Sequence, residues 1–194
     1  MRRAPLIRIV FLLLSMAALA VQAEDAGAAA AAVASFESLV RALSGSWTLS
    51  IQFEPEPGKP RPAETRGTET WRASEDGLVL IEEEHLPTPR TDLHLVALVW
   101  QDRKTQTLGG VECNGGNPHV CDLKGALNDI SIRWDGKQLV IEEIEHWPDG
   151  KTMLWREMYS EITPRSFTQT GDIGPSGGPM KRVFTIHAAR ATAR

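Results

Sequence analysis

The sequence predicts an all-β protein: an antiparallel sandwich or up-and-down barrel of about ten or eleven short strands, preceded by one short helix. Three observations carry this expectation. Beyond Gly45, runs of β-type residues recur at roughly 10-residue spacing. Clusters of Gly, Pro, Asp and Asn punctuate the gaps between them. No helical pattern lies between successive runs, so the crossovers that a parallel α/β sheet requires are missing.

The chain begins with a segment of a different kind. Arg2, Arg3 and Arg8 give Met1 to Ala23 a positive start, Ile9 to Ala20 supply an apolar stretch, and Val21-Gln22-Ala23 offers a small-residue cleavage site. That is the pattern of a secretory signal peptide over residues 1–23. Its apolar run of about 12 residues falls short of the roughly 20 that an uncleaved membrane anchor needs. The Arg2-Arg3 pair lacks the rest of a twin-arginine motif, and no cysteine follows the cleavage site to mark a lipoprotein. The expected location is periplasmic or secreted, with no membrane insertion of the mature chain.

Residues 24–34 are an alanine-rich leader with little to bury. From there Phe36, Leu39, Val40 and Leu43 recur at helical spacing on one face, which predicts a short helix over Ser35 to Leu43, stopped by Ser44-Gly45. A barrel domain follows over residues 35–190, with residues 191–194 as a tail. The strand-like runs are Ser46–Phe53, Thr65–Arg72, Leu78–Leu86, Asp92–Trp100, Thr105–Cys113, Val120–Ala126, Asp129–Trp134, Gln138–Trp147, Thr152–Ile162, Ser166–Asp172 and Lys181–Ala188. Asp135-Gly136 and Asp149-Gly150 flank the run around Val140, as tight hairpins require.

Composition narrows the partners. The whole chain has 194 residues, a formal charge of −4 and 42% apolar residues, an ordinary globular balance. Removing residues 1–23 takes away three arginines and no acidic residue, which moves the charge to −7. A domain this acidic repels phosphate backbones and anionic lipid, so nucleic acid is not expected as a partner. Cys113 and Cys121 flank Asn114-Gly115-Gly116-Asn117-Pro118, a turn that can fold the chain back on itself. In an exported chain they are expected to form a disulfide, contributing about 2–3 kcal/mol. The rival is a metal site of Cys113, His119 and Cys121.

Leu43-Ser44-Gly45-Ser46-Trp47 places Gly-x-Trp at the opening of the first strand. This resembles the N-terminal signature of lipocalins and related calycin barrels, where the tryptophan closes the barrel base beneath a basic residue from the last strand. By that resemblance Gly45 and Trp47 are barrel-closure residues, with Arg182 or Arg190 as the basic partner. Tyr159 to Thr168 contains Glu161-Ile162-Thr163-Pro164-Arg165-Ser166-Phe167, similar to a hairpin that recurs in a group of exported bacterial barrels of unknown function. Ser176 to Met180 stands where those barrels carry an Asp-Gly-Gly-Lys-Thr-Trp turn, and here the Asp, Lys and Trp are missing. The resemblance spans roughly Leu43 to Arg190. It implies a closed barrel of about ten strands with a possible ligand cavity, and no established activity.

The chemical candidates divide into weak motifs and pocket residues. Gly174-Pro175-Ser176-Gly177-Gly178 matches a nucleophile-elbow pattern, but a proline and another strand follow, so it reads as a hairpin. Gly109-Gly110 reads as a bulge or bend. Leu78 to Pro87 and Leu139 to Pro148 both end in Glu-His-apolar-Pro, which raises Glu84, His85, Glu145 and His146 as metal ligands or an acid–base set. Neighbouring Glu and His point to opposite faces of a strand, so solvated strand ends are the expected reading. His94, Val96, Leu98 and Trp100 share one face of their run, and Met153, Trp155, Glu157 and Tyr159 share one face of theirs. The six tryptophans suit the walls of a cavity.

The leading expectation is a non-enzymatic barrel that binds a small apolar or amphipathic ligand in its lumen, lined by Trp71, His94, Trp100, Trp134 and Trp155. No cofactor or metal is expected. The alternatives are a haem carrier or small periplasmic enzyme using His94 or His187, and a filled structural barrel.

Overall fold

A computed structural model of the chain describes residues 35–88, 92–114, 130–146 and 150–192. Residues 1–23, the 24–34 leader, the Val120–Ala126 run, His119 and Cys121 lie outside the described residues. No helix among the described residues is long and apolar enough to cross a membrane.

A helix, α1, spans residues 35–43. Ten strands follow among the described residues: β1 (Gly45–Phe53), β2 (Thr65–Ala73), β3 (Val79–Pro87), β4 (Asp92–Gln101), β5 (Leu108–Asn114), β6 (Ile130–Trp134), β7 (Leu139–His146), β8 (Thr152–Ser160), β9 (Ser166–Pro175) and β10 (Lys181–Arg190). Each pairs antiparallel with its sequence neighbours, and β1 pairs with β10 from Trp47↔Arg190 to Phe53↔Phe184. Of the two architectures open to the sequence, the chain adopts the closed barrel, with β5 and β6 joined at the single pair Leu108↔Ile132 among the described residues.

Turn chemistry sets the strand boundaries. The Asp135 carboxylate accepts from the Lys137 and Gln138 N–H groups, and Gly136 supplies a φ of 91°, so β6 and β7 are joined by a tight turn. The Gly174 to Gly178 segment is a hairpin, as its proline suggests: the Gly178 N–H donates to the Pro175 carbonyl at 2.8 Å. β9 continues three residues past Asp172, because the bare Cα of Gly174 lets the Pro179 carbonyl close against it. Gly109 and Gly110 lie in unbroken register with Trp100 and Val99 rather than in a bulge, and the Trp100 ring lies over Gly109.

The α1 end of the barrel is plugged. Phe36, Leu39 and Leu43 are buried in one core with Trp47, Leu49, Leu80, Leu139 and Phe167. The Trp47 indole N–H donates to the Leu43 carbonyl at 2.9 Å, and its ring packs edge-on to Phe167 at 4.8 Å. Of the two candidate partners, Arg190 is the one that covers Trp47, with its guanidinium 4.2 Å from the ring centre. Arg190 also donates to the Ser44 carbonyl at 2.9 Å and to the Pro164 carbonyl at 2.6 Å. A side chain on Gly45 would collide with that guanidinium, and its φ of 140° is one that glycine alone adopts readily. Arg182 instead pairs with Asp172.

Candidate functional site

Strand alternation sends half of each strand inward, and most of those positions are apolar. Four of the buried ones are glutamates. Glu69 on β2, Glu82 and Glu84 on β3, and Glu157 on β8 are 1%, 3%, 5% and 8% exposed. They share the interior with Trp71, Tyr159 and Gln169, all buried. The β2 pattern explains how a carboxylate comes to be there: Gly67, Glu69 and Trp71 share one face, and burying Trp71 carries Glu69 inward with it. On β8 the burial of Tyr159 does the same to Glu157. On β3, Leu80, Glu82, Glu84 and Leu86 form the inner row.

Hydrogen bonds join Glu157, Gln169, Tyr159 and Glu82 in one network, and Glu69 and Glu84 stand beside it as partners across β2 and β3. The Trp155 indole N–H donates to Glu157 Oε1 at 3.0 Å, and Gln169 Nε2 donates to Glu157 Oε2 at 3.3 Å. The same Nε2 lies 3.0 Å from the Tyr159 hydroxyl, which donates to Glu82 Oε1 at 3.0 Å. Glu69 accepts from the Trp71 indole, and Glu82, the β3 partner of Trp71, is a charge neighbour of Glu69 on the same inner face. Neighbouring buried carboxyl groups repel when both are ionised, which favours a proton on one of them.

Burial keeps that proton in place. It pushes the Glu69 carboxyl up from the ordinary 4.5 to about 8, with the Glu157 charge adding to the effect and the Trp71 hydrogen bond opposing it. Burial likewise raises Glu82 and Glu84 well above the usual range, reinforced by the charges of the other interior glutamates. It raises Glu157 despite the hydrogen bonds from Trp155 and Gln169, and the Tyr159 hydroxyl as well. No Lys, Arg or His side chain among the described residues bonds to any of the four glutamates.

The interior polar cluster is incomplete at three points. Glu69 Oε2, Glu84 Oε1 and Gln169 Oε1 are buried and have no hydrogen-bond partner among the described residues. Buried polar atoms in folded proteins are nearly always paired, so three unpaired acceptors in one interior single this region out as the candidate site. Half-buried Phe53, Leu93, Ile130 and Trp155 pack against the core toward the end of the barrel opposite α1.

The residues singled out from the sequence are distributed unevenly. Trp71 and Trp155 are interior and bond to Glu69 and Glu157. Trp134 stands at the α1 end, where its indole donates to Ser38 Oγ at 2.8 Å beside a groove of about 1060 Å³. His94 and Trp100 do not face the lumen. They share one face of β4, as expected, but it is the outer one, because Leu95, Ala97 and Val99 occupy the inner row. His94 is exposed and stacks on His85 at 4.5 Å across the barrel wall's outer surface. His187 is also exposed, near Thr168 on the outside of β9. Neither histidine meets the interior, so the placement gives no support to a haem or enzyme reading through them.

Glu84 and His85 do point to opposite faces, but Glu84 is buried rather than a solvated strand end. The side chains of Glu145 and His146 lie outside the described residues. Cys113 ends up half-buried on β5, and its proposed partner Cys121 lies outside the described residues. Among the described residues no group of three or more His, Cys, Asp or Glu is arranged to hold a metal ion.

Glu69, Glu82, Glu157, Tyr159 and Gln169 were absent from the expected lining. Period-two counting from Trp71 and Trp155, both expected to line the lumen, would have reached the first, third and fourth of them. No protein-family model matches the chain, and no curated protein matches it at a significant level.

Proposed function

We propose that this is a small-molecule-binding barrel, exported and calycin-like, whose interior takes an amphipathic ligand with its polar head against Glu69, Glu84 and Gln169. The observation that supports the reading is the interior polar cluster itself, which leaves three buried oxygens unsatisfied in an otherwise apolar barrel. A core selected only for stability gains nothing from burying four carboxyl groups, since each costs desolvation that an apolar residue avoids. Sites that bind ligands accept that cost in return for orientation and specificity. The same reading has residues 1–23 removed on export and Cys113 bonded to Cys121, which the mass of the secreted, non-reduced protein would report.

Binding itself is tested by displacement of the neutral dye Nile red and by native mass spectrometry, using dodecanol, dodecylammonium and dodecanoate as competitors. At least one should displace the dye, appear as a one-to-one complex and raise the melting temperature by several degrees. A barrel that takes up neither dye nor any competitor is filled, and ligand binding is then excluded.

A further inference from the structure

Resting on that reading, we propose that the ligand head is a primary ammonium, so that the barrel takes a long-chain amine rather than a fatty acid or a neutral lipid alcohol. The unsatisfied interior atoms are Glu69 Oε2, Glu84 Oε1 and Gln169 Oε1. All three are oxygens: the Gln169 amide oxygen only accepts, and a carboxyl oxygen accepts as a carbonyl or once its group has given up its proton. A primary ammonium offers three N–H donors on one nitrogen, matching three acceptors with one group.

The three oxygens belong to one site. Glu69 and Glu84 are direct partners across β2 and β3. Gln169 is hydrogen-bonded through the Tyr159 hydroxyl to Glu82, which stands one inward pair along from Glu69 and Glu84 on β2 and β3. Gln169 is the observation independent of the acidic cluster: an uncharged amide, 0% exposed, with its donor end engaged by the network and its carbonyl oxygen left over.

The charge balance favours a cation. Among the described residues, the titratable groups facing this interior are Glu69 from β2, Glu82 and Glu84 from β3, Glu112 from β5, and Glu157 and Tyr159 from β8. Glu143 of β7 shares the inner row of Leu139 and Ile141. Each of these groups is neutral or negative in its accessible states, so a carboxylate ligand would be repelled and an ammonium attracted. The aromatic faces of Trp71 and Tyr159 add cation–π attraction in a desolvated setting. The half-buried ring of Phe53, Leu93, Ile130 and Trp155, on the side away from the α1 plug, suits the alkyl chain that follows the head.

Because the interior glutamates are held protonated, binding is an exchange. One ammonium enters, one carboxyl gives up its proton to the buffer, and the interior charge stays unchanged. Affinity for the amine should therefore rise with pH, by up to tenfold for each pH unit while that carboxyl is protonated in the free protein.

The test is titration calorimetry of the full-length mature protein with dodecylammonium, dodecanol and dodecanoate at about pH 6 and about pH 8. The expected result is amine binding at least about tenfold tighter at the higher pH, with an enthalpy that varies with buffer ionisation heat because a proton is released. Glu84→Gln should weaken the amine by about tenfold or more, whereas Glu83→Gln, on the outer face, should not. Amine affinity that is independent of pH, or alcohol or carboxylate binding tighter than amine, overturns the ammonium assignment and leaves lumenal binding intact. Absence of binding by all three overturns both.

Discussion

Raising the pH from about 5 to about 8 is expected to lower the melting temperature of the ligand-free barrel by at least about 5 °C. The direction follows from the interior carboxyl groups. In the unfolded chain a glutamate titrates near 4.5; in the folded barrel Glu69 titrates at about 8, and Glu82 and Glu84 are also raised well above the ordinary range. Between those limits the folded state keeps protons that the unfolded chain has shed. Rising pH therefore favours unfolding. The stabilisation is complete below about pH 4.5 and is lost as the pH climbs through the folded values.

A tenfold difference in proton affinity between the folded and unfolded chain is worth about 1.4 kcal/mol, so even part of the rise at Glu69 amounts to a few kcal/mol. For a domain of this size that corresponds to a change of about 5–10 °C. Asp76, Asp102 and Asp135 act in the opposite sense. They are lowered by hydrogen bonds from the Ser74 hydroxyl, the Thr105 N–H and the Gln138 N–H respectively. Their contribution is already complete above the ordinary carboxylate range, so it does not offset the loss between pH 5 and 8. Circular-dichroism melts across that window check the slope, and a flat or rising melting temperature would contradict it.

The second large effect is expected at the plug. Trp47→Ala should destabilise the barrel by about 3–5 kcal/mol in denaturant unfolding, as large-to-small changes in a packed core do. Trp47 is buried, packs against Phe167 and covers the base of the barrel. Its loss also leaves the Leu43 carbonyl without its donor and Arg190 without the ring beneath its guanidinium. Arg190→Ala should cost less, about 1–2 kcal/mol, because Trp47 keeps its packing and loses the cation–π contact. If the two substitutions cost the same, the plug is held by the arginine's hydrogen bonds to Ser44 and Pro164 rather than by the indole.

Much of the fold was readable in the sequence because hairpin barrels are local objects. Each strand pairs with the next, so turn residues such as Asp135-Gly136 announce the topology directly. Gly-x-Trp announced the plug for a similar reason, since the partners Leu43 and Trp47 are four residues apart. What the sequence could not supply was the choice of basic partner. Arg182 and Arg190 both lie on β10, and only the β1–β10 register places Arg190 opposite Trp47.

The interior site was harder to read for a physical reason. Period-two alternation divides a strand into two faces without saying which is inside, and the usual guide is that the apolar face turns inward. On β4 both faces are apolar, so His94 and Trp100 could have belonged to either. Pairing settles it: Glu82 faces Ala97 and Glu84 faces Leu95, with the intervening β4 side chains outside. On β3 the guide fails outright, since Glu82 and Glu84 point inward with Leu80 and Leu86 while His85 is outside. Departures of this kind are expected at functional sites, where local preference yields to what the site needs.

The most direct test of a proton-holding interior is a carbon-13 NMR titration of the glutamate side-chain carboxyl carbons, resolved by residue. Glu69 should titrate near pH 8, with Glu82 and Glu84 also far above the ordinary 4.5, while outward-facing Glu83 serves as an exposed reference. If all four interior glutamates instead titrate together near 4.5, they are solvated and ionised in the folded protein, and the barrel holds no buried, protonated carboxyl network.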